Sequence, residues 1–314
     1  MGSSKLDTNS DPNKTAHIFP AFVPEYLGIE TQVIERYGIN FRAFLEKASE
    51  ISGSKLSDFH ITENTLLGDK LKSQYITYII SCCISDILHD RKQIPTFVSA
   101  YSMGIYAAMY HCGSIDFGTG LSMIKAAFET IEKNLPEPPS SMCSIGGLNR
   151  DDIEALIRPY QKDTFIINQN SEFSFLLSGN EKHLGQILKE AAEAGAIQAR
   201  MLPVTHPYHA PLLKTASVEF HQALQNMLIG NNNLKYLSAV DMRIILNRDD
   251  IITELSNNLS VSFDWYKTFL FLLKNGVNTF IECGAGESLY RIGKFIEGNF
   301  TICNLKKLNN YVKY

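Results

Sequence analysis

Short apolar runs alternate with longer amphipathic stretches along nearly the whole chain, and this alternation limits the fold more than any other feature. Residues 16–19 and 95–99 have the length and residue types of buried strands. Residues 28–49, 73–88, 103–112 and 117–135 repeat apolar side chains at helical spacing. Strand-then-helix order of this kind predicts a sheet of parallel strands covered by helices. Pro136, Pro138 and Pro139 stop it. Beyond them come a strand at 142–145, a helix at 150–160, strands at 165–167 and 173–178 around a polar turn at 168–171, a helix at 180–194 and a strand at 197–202. That β-α-β-β-α-β order is ferredoxin-like. Alternation then resumes, with helices at 211–228, 264–275 and 288–295 and strands at 235–238, 279–282 and 300–304. The chain is therefore expected to be α/β, with residues 16–138 and 203–314 forming a large domain and 139–202 a smaller inserted one. Residues 1–15 read as a flexible tail.

Composition excludes several classes. Of 314 residues, 45% are hydrophobic and 20% charged, which is globular. A chain this long buries roughly three quarters of its unfolded surface and needs no staple. The six cysteines form no C-x-x-C pair, so a reducing cytoplasm is expected and a zinc site is not. The formal charge of −4 gives no electrostatic case for nucleic acid. No apolar run reaches membrane-spanning length, and the polar start lacks a signal core.

The chemistry begins at Ala100-Tyr-Ser102-Met-Gly104, set between a predicted strand and a predicted helix. This approximates G-x-S-x-G, in which a serine sits on a sharp strand-to-helix turn flanked by small residues. The turn presents the Ser102 hydroxyl at a helix start, where the N–H of Met103 can donate to an oxyanion. The competing reading is a plain helix cap. A nucleophilic serine needs a base. Of eight histidines, His206 and His209, in Thr205-His-Pro-Tyr-His209, lie in a loop between a strand and a helix, where a scaffold can present them.

With Ser102 and His209 in place, the chain resembles the malonyl-CoA:acyl-carrier-protein transacylase family, which includes polyketide-synthase acyltransferase domains. Six pieces carry the likeness in order. Ala100-Tyr-Ser-Met-Gly-Ile105 stands for G-H-S-x-G-E, and Gly113-Ser-Ile-Asp-Phe117 for G-x-I-D-F. Asn170-Ser-Glu-Phe-Ser-Phe-Leu-Leu-Ser-Gly179 is similar to N-S-P-x-x-x-V-x-S-G. Leu202-Pro-Val-Thr-His-Pro-Tyr-His209 is similar to L-P-V-x-x-P-x-H. Phe263-Asp-Trp265 stands for P-V-x-W, and Glu282-Cys-Gly-Ala-Gly286 for E-x-G-P-G. The resemblance implies a hydrolase-like large domain carrying the ferredoxin-like insert. It implies Ser102 attacking an acyl thioester while His209 takes its proton and later activates the acceptor thiol. It places the oxyanion donors at Met103 and Phe22, and a His209-orienting carbonyl at Asp264. It implies no metal or redox cofactor, coenzyme A as part of the substrate, and an acyl carrier protein as partner, in polyketide or fatty-acid biosynthesis. A monomer is expected.

The departures shape the substrate expectation. Phe19-Pro-Ala-Phe-Val-Pro24 replaces F-P-G-Q-G-S. Tyr101 replaces the family's histidine and Ile105 its glutamate. Tyr208 stands where malonyl-selective relatives have serine. The arginine that holds the malonyl carboxylate falls at Ala127, and no arginine lies between Arg91 and Arg150. A buried carboxylate left without a partner costs several kcal/mol. The expected substrate is thus a neutral acyl group, in a pocket involving Ala127, Tyr208, Tyr101, His206 and Asn170. Two alternatives stay open: a hydrolase that clears acyl chains from carrier proteins through the same serine and histidine, and a non-catalytic relative that docks carrier proteins.

Overall fold

A computed structural model describes residues 14–21, 26–59 and 69–313. Among the described residues, ten strands form two sheets. The strands are β1 (Lys14–Phe19), β2 (Phe97–Ala100), β3 (Ser140–Gly146), β4 (Thr164–Ser171), β5 (Ser174–Asn180), β6 (Gln198–Met201), β7 (Tyr236–Leu237), β8 (Ile244–Ile245), β9 (Val277–Glu282) and β10 (Thr301–Cys303). The larger sheet has the order β10-β9-β1-β2-β7-β8 and is parallel except at its β7–β8 edge. The smaller is antiparallel in the order β4-β5-β3-β6. This is the mixed α/β architecture expected, a parallel core with a separate antiparallel sheet.

Each lobe has its own interior. The helix Lys70–Asp90 is buried nearly all round, with Tyr75, Tyr78, Ile79, Ile80, Cys82, Cys83 and Ile84 in the large core. Such a helix cannot show the one-sided apolar stripe of a surface helix. In the small lobe Cys143, Ile145, Phe175 and Leu177 pack from the sheet onto Ile153, Leu184 and Ile187 of two helices. All six cysteines are buried and unpaired. No helix among the described residues is long and apolar enough to cross a membrane.

Three expectations need correction. The single helix expected over 28–49 is two, Glu30–Arg36 and Phe41–Ser52. Gly38, at φ +87°, turns the chain between them, and the Asn40 side chain caps the second by accepting from the N–H of Ala43. The helix Arg248–Ser260 was not anticipated. Residues 168–171, expected as a turn, continue strand β4, and the chain reverses at Glu172 and Phe173 instead. Asn168 and Asn170 are thereby held on a strand facing the large lobe.

Candidate active site

The elbow forms where β2 ends. Tyr101 is extended, and its N–H donates to the Phe19 carbonyl at 2.8 Å. Ser102 takes the left-handed conformation, φ +54°, within a single 3₁₀ turn that leads into the helix Ile105–His111. A side chain there costs ~1–2 kcal/mol that glycine would not incur. The next turn lies against β1, where a Cβ on Gly104 would collide with the carbonyl oxygens of Phe19 and Pro20. Only glycine fits that approach. Ala100 pairs in register with Phe19, so a methyl is accommodated two residues before the serine. The strain at position 102 is separable from the hydroxyl. Ser102→Gly should unfold at higher denaturant than Ser102→Ala, by about 1 kcal/mol, since both lose the hydroxyl and only alanine keeps the strained Cβ. Equal midpoints would show that the turn carries no strain.

His209 comes from the other side of the cleft, in the loop before the helix Lys214–Gln225. It also has a left-handed backbone, φ +59°, and its N–H donates to Leu259 O at 2.8 Å. Its Nε2 lies 2.7 Å from Ser102 Oγ. Burial pulls its pKa down to about 3, while the Val261 backbone acts in the opposite sense, favouring the charged ring. The imidazole is therefore neutral across the physiological range, and its Nε2 can accept the serine proton. Nδ1 makes no hydrogen bond of full geometry among the described residues, so the Val261 backbone is a weak orienting partner. The Phe263 ring packs on the imidazole with centroids 4.6 Å apart.

Asp264, expected to orient His209, makes no hydrogen bond to its ring among the described residues. Asp264 caps the helix Trp265–Lys274: its carboxylate accepts from Lys267 N at 2.9 Å, and its carbonyl accepts from Thr268 N and Oγ1. An aspartate before a helix is taken up by the helix's own unsatisfied N–H groups. Met103 lines the cleft directly after Ser102. Phe22, expected as the second oxyanion donor, lies outside the described residues.

The cleft beside Ser102 and His209 has a volume of ≈ 240 Å³. Tyr101 and Tyr208 line it. Burial pushes the Tyr208 phenol up to about 12. Ala127, His206 and Asn170 do not line it. Ala127 is buried within the helix Phe117–Lys133. His206 turns away to Glu132, Nε2 to Oε1 2.7 Å. Asn170 is engaged with Tyr101.

Sequence reasoning missed most of the apolar wall. Met142 and Leu176 come from the small lobe, Leu202 and Val204 from the connection back, and Phe263, Leu289 and Ile292 from the C-terminal part. Glu282 accepts from Leu289 N at 2.8 Å and Tyr290 N at 3.0 Å and so folds the turn that delivers Ser288 and Leu289. Burial raises the Glu282 pKa to about 7 against these donors. Among the described lining residues there is no lysine, arginine, aspartate or glutamate.

A serine on a strand-to-helix elbow, bonded to a neutral histidine in an apolar cleft between an α/β lobe and a ferredoxin-like lobe, defines a class of fold and site suited to acyl transfer. The relatives are narrower. The chain is 25% identical to the malonyl CoA-acyl carrier protein transacylase of Synechocystis, over 95% of this chain and 98% of that protein. It is 23% identical to the Bacillus subtilis protein of the same name, over 88% of each. Among solved structures, the malonyl CoA-acyl carrier protein transacylase of Coxiella burnetii superposes with a TM-score of 0.88 at 21% identity, covering 96% of this chain and 98% of that one. A malonyl-transacylase in complex with a type II polyketide acyl-carrier protein superposes with a TM-score of 0.86 at 22% identity, covering 93% and 96%. No family model matches the chain.

Proposed function

We propose that this protein moves an acyl group from a coenzyme A thioester to the thiol of an acyl carrier protein through an ester on Ser102. The observation that carries this is the 2.7 Å contact between Ser102 Oγ and His209 Nε2 inside the cleft. His209 takes the hydroxyl proton as Oγ attacks the thioester carbonyl. The N–H of Met103, at the start of the turn, is the donor available to the resulting oxyanion. The departing thiolate recovers the proton from His209, and the acyl group remains on serine. The carrier thiol then gives its proton to His209 and attacks the ester, which restores the Ser102 hydroxyl. The carrier partner is supported by the relatives' names and by the neighbour solved with an acyl-carrier protein.

On the acyl group, the relatives run against the expectation drawn from Ala127, since they are named for malonyl. Malonyl is therefore the first reading. One observation favours a neutral acyl group as the second: the described cleft lining has no cation. The internal segments outside the description, 22–25 and 60–68, contain no lysine or arginine either.

Incubation with malonyl-, acetyl- and longer acyl-CoA, read by intact mass, separates the readings. Under the first, malonyl marks Ser102 fastest and the mark passes to a carrier thiol. Under the second, neutral groups load and malonyl is slower by on the order of hundred-fold, the cost of a carboxylate without a cation. A mark lost to water as free acid would indicate the hydrolase, and no mark with any donor would leave only docking.

A further inference from the structure

The residue before the nucleophile joins the two lobes. The Tyr101 hydroxyl is buried and donates to Asn170 Oδ1 at 2.9 Å. It accepts from Asn168 Nδ2 at 2.9 Å, and the same Nδ2 donates to Asn170 Oδ1 at 2.7 Å. Asn168 Oδ1 in turn accepts from Trp265 N at 3.0 Å. Both asparagines lie on β4 of the small lobe, whereas Tyr101 and Trp265 belong to the large one. Beside this network, Phe263 N donates to Ile167 O at 3.0 Å. The Tyr101 ring meets Phe263 and Trp265 edge-on, at 4.9 Å and 5.5 Å, and Phe263 is the ring packed on His209.

Packing alone accounts for the ring but not for the hydroxyl. Two buried side-chain amides from the opposite lobe converge on one oxygen, and a phenylalanine would leave them short of a partner. A buried polar network of this kind fixes one geometry because every alternative strands a donor or acceptor. Another polar link between the lobes, Arg150 to Asp264 at 3.9 Å, is partly exposed and contributes little. Met142 and Leu176, two walls of the cleft, move with the small lobe.

We infer that Tyr101 is a positioning residue: its hydroxyl, held between Asn168 and Asn170, sets the opening of the cleft and the approach of Ser102 Oγ to His209 Nε2. This rests on the proposed seryl ester. The test uses a fluorophosphonate probe, whose phosphorus bonds Ser102 Oγ as fluoride leaves and the proton passes to His209. Labelling of the full chain needs no knowledge of the acyl group.

Tyr101→Phe should lower the saturating labelling rate about 10- to 100-fold while the half-saturating probe concentration stays within about twofold, since a displaced base slows bond formation more than binding. Asn170→Ala should give a loss of the same order, and the double variant no further loss, because the pair acts as a unit. Trp265, the single tryptophan, reports the fold: its emission and unfolding midpoint identify any variant that fails to fold. If Tyr101→Phe does not fold, Asn170→Ala carries the test. Wild-type labelling rates in folded Tyr101→Phe and Asn170→Ala, or additive losses in the double variant, overturn the inference and leave the seryl ester standing. A wild-type protein that the probe does not mark at Ser102 overturns both.

Discussion

Ser102→Ala should lower kcat/KM for acyl transfer by about 10⁴-fold or more and abolish the acyl mark seen by intact mass. His209→Ala should lose about 10³- to 10⁴-fold, because the hydroxyl, without a base beside it, is protonated at any working pH. The double variant should be no worse than the worse single one, since nucleophile and base act in the same step. The neutral state of His209 adds a pH signature. With its pKa pulled down to about 3, the acid limb of kcat/KM should lie well below pH 6.5, where an ordinary histidine would place it. A rate that halves near pH 6.5 would mean that the imidazole is more hydrated than its surroundings suggest. Ser102→Ala with near-wild-type transfer would end the seryl-ester reading.

What could be read in advance follows from how local each signal is. The elbow was legible because it is a backbone constraint written in consecutive residues: a β-rich run, small residues around a serine, then helix formers. Gly104 against the Phe19 carbonyl shows why the pattern must end in glycine. His209 was legible because few histidines lie in loops between elements. The split of the 28–49 helix turned on Gly38 and Asn40, which periodicity alone passes over. The helix Arg248–Ser260 hides behind Asn257, Asn258 and two serines that are poor helix formers, yet Ile251, Ile252, Leu255 and Leu259 are buried by tertiary packing.

Less of the site was legible than of the fold. The cleft wall is assembled from ends of distant elements, so Met142, Leu176 and Ile292 share no sequence signal. Asp264 was assigned to His209 by position in a motif, and local capping claimed it. Tyr101 was expected in the acyl pocket; its hydroxyl is taken up by β4, because residues 168–171 form a strand where a turn was expected.

Acid should unfold this protein steeply, and buried histidines are the cause. His17 Nδ1, on β1, lies 2.9 Å from Nε2 of His111, which ends the helix after the elbow, and His111 Nδ1 lies 2.8 Å from Ser85 Oγ. Burial pulls His17 down to about 3 and His111 well below its ordinary value, with neighbouring imidazoles adding to both. His209 is the third. Once unfolded, each binds a proton below about pH 6.5 that the folded chain excludes. Their stabilisation is therefore complete above pH 6.5 and is lost as pH falls below it, for His17 and His209 down to about 3. Glu254 and Glu282 act in the opposite sense. Burial raises both to about 7, so the folded chain keeps protons that the unfolded chain releases above about 4.5, and stability falls as pH rises between those values. From pH 6.5 to 4.5 the histidines are in large part offset by the two glutamates. Below 4.5 the glutamates are protonated in both states, the histidines are no longer opposed, and the slope steepens. Against a total stability of roughly 5–15 kcal/mol, that steeper limb should bring the protein towards unfolding below about pH 4.5. Urea midpoints, read by Trp265 emission, should change little from pH 7 to 5 and collapse below 4.5. His111→Asn should flatten the acid limb. A midpoint at pH 4 equal to that at pH 7 would mean that these imidazoles are already charged, or already wet, in the folded chain.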